Sequence, residues 1–106
     1  MRAKVAPHAA QLAELFHDKS ESVRAEAARA FRNGSTFAEP QVPALGELLK
    51  DRWPSVREHA LATLGTLGGL AAQCVPQIRE RLKDTDPKCR EAAQRALEGL
   101  AKHEPR

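Results

Sequence analysis

Three carboxylates and three guanidiniums recur at one spacing in this chain: Asp18 with Arg24, Asp51 with Arg57, and Asp84 with Arg90. Acids and bases of these types could move protons, or they could pair with one another to hold a fold together. Their sequence setting favours pairing. Each Asp stands just ahead of an apolar helical stretch, where a carboxylate accepts orphan N–H groups and meets the positive end of the helix. Each Arg follows one turn into that stretch, within reach of its own Asp or that of an adjacent segment. The remaining reactive side chains are scattered. The four histidines, His8, His17, His59 and His103, never stand three or four residues from each other or from a cysteine, so no zinc signature forms. Ser20, Ser22, Ser35 and Ser55 lie in no nucleophile elbow. Gly65-Thr66-Leu67-Gly68-Gly69 lacks phosphate-loop spacing and reads as a helix end. The residue pattern therefore indicates no catalytic residue, no metal and no cofactor.

The elements that carry these residues repeat every thirty-three positions without insertion, over 3–35, 36–68 and 69–101. Glu14, Glu47 and Glu80 share a column, as do Ala27, Ala60 and Ala93. Leu12, Leu45 and Ile78 form an apolar column, and so do Phe16, Leu49 and Leu82, then Phe31, Leu64 and Leu97. The second and third repeats share thirteen of thirty-three residues. Within the second, Thr36-Phe37-Ala38-Glu39 has capping-box spacing, and Pro40 and Pro43 suit a first helical turn. Pro54 disfavours helix at Trp53. Val56, Ala60, Leu64 and Leu67 then form one helical stripe, which Gly68-Gly69 ends; Asn33-Gly34 plays that part in the first repeat. The periodicity predicts six helices over 6–17, 21–33, 37–51, 54–67, 71–84 and 87–103. The whole is a single all-α domain, a short right-handed solenoid of three helical hairpins with first and second helices in separate layers. One hairpin cannot bury its own stripe, and about three are the fewest that can.

Composition agrees. Nineteen Ala and twelve Leu stand against ten Val, Ile and Thr in 106 residues, with no Tyr, which argues against a sheet. No apolar run approaches the ~18 residues of a membrane span, and Met1-Arg2-Ala3-Lys4 lacks the apolar core of a signal peptide. The predicted antiparallel arrangement puts Cys74 and Cys89 roughly 12–15 Å apart, beyond the ~7 Å that a disulfide tolerates. Both read as free thiols, which suits the cytoplasm or another reducing compartment. The net charge of +3 superficially suggests nucleic acid. Its distribution does not: the three repeats carry +1, −1 and +1, and the remainder lies in the tails at Arg2, Lys102, Glu104 and Arg106.

The pattern resembles the HEAT repeats, in the short form also seen in phycobilisome-lyase-type HEAT-like proteins. The resemblance is carried by Val42-Pro43-Ala44-Leu45, Leu48-Leu49-Lys50-Asp51, Pro54-x-Val56-Arg57-x-x-Ala60 and Leu64-Gly65, and again by Val75-Pro76 through Ala93. The first repeat departs from it with Glu21 and Ala10 where the others have proline. The resemblance implies that the Asp and Arg columns form a stacking ladder. It also implies a protein-interaction or scaffold role, with a protein partner bound on the concave face of the second helices. That face would present Arg29, Arg32, His59, Ala62 and Arg95, with Arg52 and Trp53 at its rim. Its expected area of about 400–600 Å² falls short of the ~800 Å² per partner of a standard interface, so a weak contact is expected. Arg29, Arg32 and Arg95 could instead line a nucleic-acid surface, which Ala62 and Gly65 interrupt. A pigment-lyase or chaperone activity, implied by family analogy alone, would need a reactive Cys74.

Arg79, Arg81 and Gln94 replace small or apolar residues of the earlier repeats and read as a polar C-terminal cap. Val5, Ala6, Ala9, Ala10 and Ala13 stay apolar, so the N-terminal face is expected to contact a protein partner, to self-associate weakly with a second copy, or to continue a longer array.

Overall fold

In a computed structural model of the protein, which describes residues 8–32 and 38–101, the chain is an all-α solenoid of stacked hairpins. The second helix of each hairpin is regular: α2 spans Glu21–Ala30, α4 Pro54–Leu67 and α6 Pro87–Ala101. The first helices are composite. α1 (Ala9–Glu14), α3 (Val42–Glu47) and α5 (Val75–Glu80) each finish in a tighter 3₁₀ turn, at Leu15–His17, Leu48–Lys50 and Arg81–Lys83. The single long helices expected over 37–51 and 71–84 are therefore broken. Pro43 and Pro76 lack the N–H that would continue a helix from the preceding turn. Each opens a new α segment after 3₁₀ residues, Glu39–Gln41 and Gly68–Cys74. The cues at Val5, Ala6, Asn33-Gly34, Thr36, Phe37 and His103 lie outside the described residues. Gly68 ends α4 at φ 61°, a left-handed conformation that side-chain-bearing residues rarely adopt.

The second helices lie side by side, with α4 between α2 and α6. Position in the stack decides burial. On α4 the expected stripe Val56, Ala60, Leu64 and Leu67 is buried, and so are Leu61 and Thr63, because neighbours cover two faces. On α6, with one neighbour, only Cys89, Ala93, Ala96 and Leu100 are buried. Phe16 and Phe31 meet edge to face at 5.7 Å in the first hairpin, where later repeats use leucine. Polar side chains also bridge neighbouring repeats through backbone: the Thr63 hydroxyl donates to the Ala28 carbonyl at 2.7 Å, and the Cys89 thiol to that of Pro54 at 3.3 Å.

The Asp–Arg columns form a continuous ladder. Arg24 donates from Nε and Nη2 to Asp51 at 2.7 and 3.1 Å, and Arg57 donates from the same edge to Asp84 at 2.9 and 2.8 Å. The opposite edge of each Arg, and of Arg90, donates from Nη1 to the backbone carbonyl of its own repeat's Asp: Asp18, Asp51 and Asp84, at 2.6–2.7 Å. The carboxylates do not cap the helices directly, as the sequence suggested. Each accepts instead from the N–H two residues on (Ser20, Trp53, Asp86) and folds the turn. Helix capping falls to those next residues: Ser20 accepts from Val23 N–H and Asp86 from Cys89 N–H, while Trp53 has no side-chain acceptor to offer.

Arg81 is not an outward cap. It turns back to Asp84 at 3.2 Å and joins the ladder, and the exposed residues of that turn are Leu82 and Lys83. At the other end Ala9 is buried, whereas Ala10 is exposed.

Candidate functional site

The stacking of α2, α4 and α6 leaves a cleft of about 390 Å³ on the second-helix side. Arg32, just past α2, forms one wall. His59, Ala62 and Gly65 line it from α4, and Lys88, Ala92 and Arg95 from α6. It exists because the side chains between α4 and α6 are small. A Cβ on Gly65 would lie 2.9 Å from Ala96 Cα, and one on Gly99 would lie 2.8 Å from the Gly65 carbonyl oxygen. The two helices therefore touch backbone to backbone at that level, while Ala62, Ala92 and Ala96 leave the space beside the contact unfilled.

The cleft's charge is mixed. Glu58 and Glu91 stand among its cations, and Arg95 reaches Glu91 at 3.6 Å. Two wall atoms, Arg32 Nε and His59 Nδ1, are buried without a hydrogen-bond partner. Such a group costs free energy unless a side-chain rearrangement or a ligand supplies the missing bond.

Of the seven candidate contact residues, Arg32, His59, Ala62 and Arg95 converge on the cleft. Arg29 does not; it lies exposed on α2, paired with Glu26 at 3.3 Å. Arg52 and Trp53 also lie away from it, in the turn before α4, where Trp53 is 45% exposed. Glu58, Lys88, Glu91 and Ala92 also line the cleft and were missed by sequence reasoning. Their signal was available: residues 88, 91 or 92, and 95 share one helical face, as do 58, 62 and 65.

The ionisable groups of the ladder are tuned by pairing. Hydrogen bonding to Asp51 and Asp84 raises the pKa of Arg24 and Arg57 above the usual arginine value. Burial opposes ionisation of Asp84. The Arg57 hydrogen bond, the Asp86 N–H and the charges of Arg57 and Arg81 outweigh it and hold the carboxyl below its ordinary value. Both cysteines are buried free thiols. Burial raises Cys74, and burial followed by the nearby Asp84 charge pushes Cys89 up to about 11. Among the described residues no group of three or more His, Cys, Asp or Glu could hold a metal ion, and no helix is long and apolar enough to cross a membrane.

The fold has a solved counterpart in the crystal structure of an engineered protein from the Northeast Structural Genomics Consortium. It is 19% identical to this chain and superposes with a TM-score of 0.79 over 91% of this chain and 46% of its own. This chain thus spans less than half of that protein's length, and the likeness is one of fold. No curated protein matches the chain in sequence. The family model for HEAT repeats matches residues 9–98, nearly the whole solenoid and every rung of the ladder. With its hairpins stacked through repeating Asp–Arg pairs, the chain belongs to the HEAT-repeat family.

Proposed function

We propose that this domain is a protein-interaction module that seats a segment of a protein partner in the cleft between its second helices. The observation that carries this reading is convergence: residues following or on the second helix of each repeat line one cleft, and two polar atoms in its wall lack partners. A partner that supplied an acceptor for Arg32 would relieve one of these costs. The cleft's size sits near the lower end of the range for ligand sites, so affinity through it alone is modest. Nucleic acid is the weaker reading, because phosphate tracking needs a run of uncompensated cations and here Glu58 and Glu91 intervene. The lyase reading loses support because its one candidate nucleophile, Cys74, is buried with a raised pKa. Two free buried thiols fit a reducing compartment.

The test compares wild type with Ala62→Arg, which fills the cleft from an incompletely buried position. A partner captured by the wild type and lost by a variant of unchanged thermal midpoint supports the reading. Equal capture by both removes the cleft from it, and a steeply salt-dependent affinity for nucleic acid replaces it.

A further inference from the structure

The ladder lines up the three turns that join first to second helices. Arg24 grips Asp51 and Arg57 grips Asp84, so residues 17–20, 50–53 and 83–86 stand beside one another along one edge of the stack. Charge is unevenly shared between this edge and the rest. The matching stretches 17–24, 50–57 and 83–90 hold eight Lys and Arg against five Asp and Glu, whereas the other described residues hold five against eight. Two of the five acids, Asp51 and Asp84, are already taken by ladder arginines. Lys19, Lys50, Arg52 and Lys83 are exposed, and their side chains pair with no other described residue. Trp53 stands in the middle turn of this edge, 45% exposed. Its equivalents Ser20 and Asp86 cap their helices, whereas Trp53 offers no acceptor. Its N–H is held by Asp51 at 3.0 Å, and Asp51 by Arg24, so the exposed ring stands on a fixed turn.

We propose that this turn edge is an interaction surface for an acidic, extended segment of a partner protein, with Trp53 covering an apolar residue at its centre and the neighbouring cations holding its carboxylates. Exposed tryptophan beside basic residues is the composition of an interface anchor with a steering rim. The spacing suits a peptide. Neighbouring turns lie about one helix packing distance apart, ~10 Å, and a polyproline-II chain returns to the same face every three residues, after about 9 Å. Nucleic acid suits it less. A phosphate backbone carries charge at every unit and would meet Glu21 and Asp86 on the same edge. It would also find one ring where stacking platforms offer several. A peptide can place its acids opposite the cations alone. None of Lys19, Lys50, Arg52, Trp53 and Lys83 lines the cleft, so this surface stands or falls apart from the proposed function.

Trp53 is the one tryptophan in the chain, so its fluorescence reports on this edge alone. The probe is a synthetic peptide with Glu three residues before and three after a central Leu, titrated into the full chain up to about 1 mM. Trp53 emission should shift to the blue, and the affinity should fall at high salt as the exposed charges are screened. Arg52→Glu and Lys83→Glu should each weaken binding by about tenfold with helical circular dichroism unchanged, since neither side chain holds anything in the fold. Ala62→Arg, in the cleft, should leave the titration as it is, whatever it does to partner capture. No shift up to about 1 mM, an equal shift with Lys in place of the peptide's Glu, or folded Glu variants that bind like wild type would overturn the proposal. So would tighter binding, by the same fluorescence, of oligothymidylate or of phosphatidylserine vesicles, which would assign the edge to nucleic acid or to a membrane surface.

Discussion

Arg57 meets Asp84 edge to edge, with two hydrogen bonds of 2.9 and 2.8 Å between side chains that are 9% and 1% exposed. The other edge of the same guanidinium holds the Asp51 carbonyl, and the Asp51 carboxylate holds Arg24. One relay therefore runs from Asp18 to Arg90 through all three repeats, and the stack is fixed by charge as well as by its apolar stripe.

This relay predicts a gradient along one column. Removing one partner of a buried pair strands the other, at a cost of about 3–5 kcal/mol. Arg57→Met should lose that much in urea denaturation. Arg24→Met should lose less, because that pair is 14% and 10% exposed. Arg90→Met should lose under about 1 kcal/mol, since only one hydrogen bond to backbone goes. Equal losses at the three positions would contradict a ladder whose strength depends on burial.

Asp84 also sets an acid dependence. Its folded pKa lies below its unfolded value, so its stabilisation is complete above about pH 4 and is lost as pH falls through the depressed folded value. Denaturation midpoints measured from about pH 6 down to about pH 2 should fall for the wild type. Asp84→Asn, less stable at neutral pH, should fall less, so that the two curves converge in acid. Parallel curves would show that other carboxylates carry the effect.

Gly65 is expected to resist a change that helix propensity favours. Alanine in a helix interior gains up to about 1 kcal/mol over glycine. Here the added methyl would lie 2.9 Å from the Ala96 backbone, which has no flexible end to move aside. Gly65→Ala should therefore destabilise by about 1–3 kcal/mol and alter the cleft, seen as a lower thermal midpoint and shifted amide resonances on α4 and α6.

Trp53 occupies the one N-cap of a second helix that lacks a side-chain acceptor. Replacing it by Ser and by Ala removes the ring in both cases and restores a cap in only one. Trp53→Ser should be the more stable of the two by about 1 kcal/mol in chemical denaturation. Equal stabilities would mean that the turn at Asp51 already satisfies the start of α4.

The sequence by itself determined the repeat, the helical class and the identity of the ladder residues. Each of these follows from spacing along one chain: thirty-three residues between Asp18, Asp51 and Asp84, and a helical stripe from Val56 to Leu67. It also pointed to Arg32, His59, Ala62 and Arg95 as sharing a face, because the repeat period carries one helix position onto the next. Only the tertiary structure decided which Asp each Arg grips, that Arg81 turns inward while Leu82 faces out, and that Arg52 and Trp53 stand clear of the cleft. These depend on how closely neighbouring hairpins approach, as at Gly65 against Ala96. That distance is set jointly by side chains from separate repeats, and so no position in the sequence carries it alone.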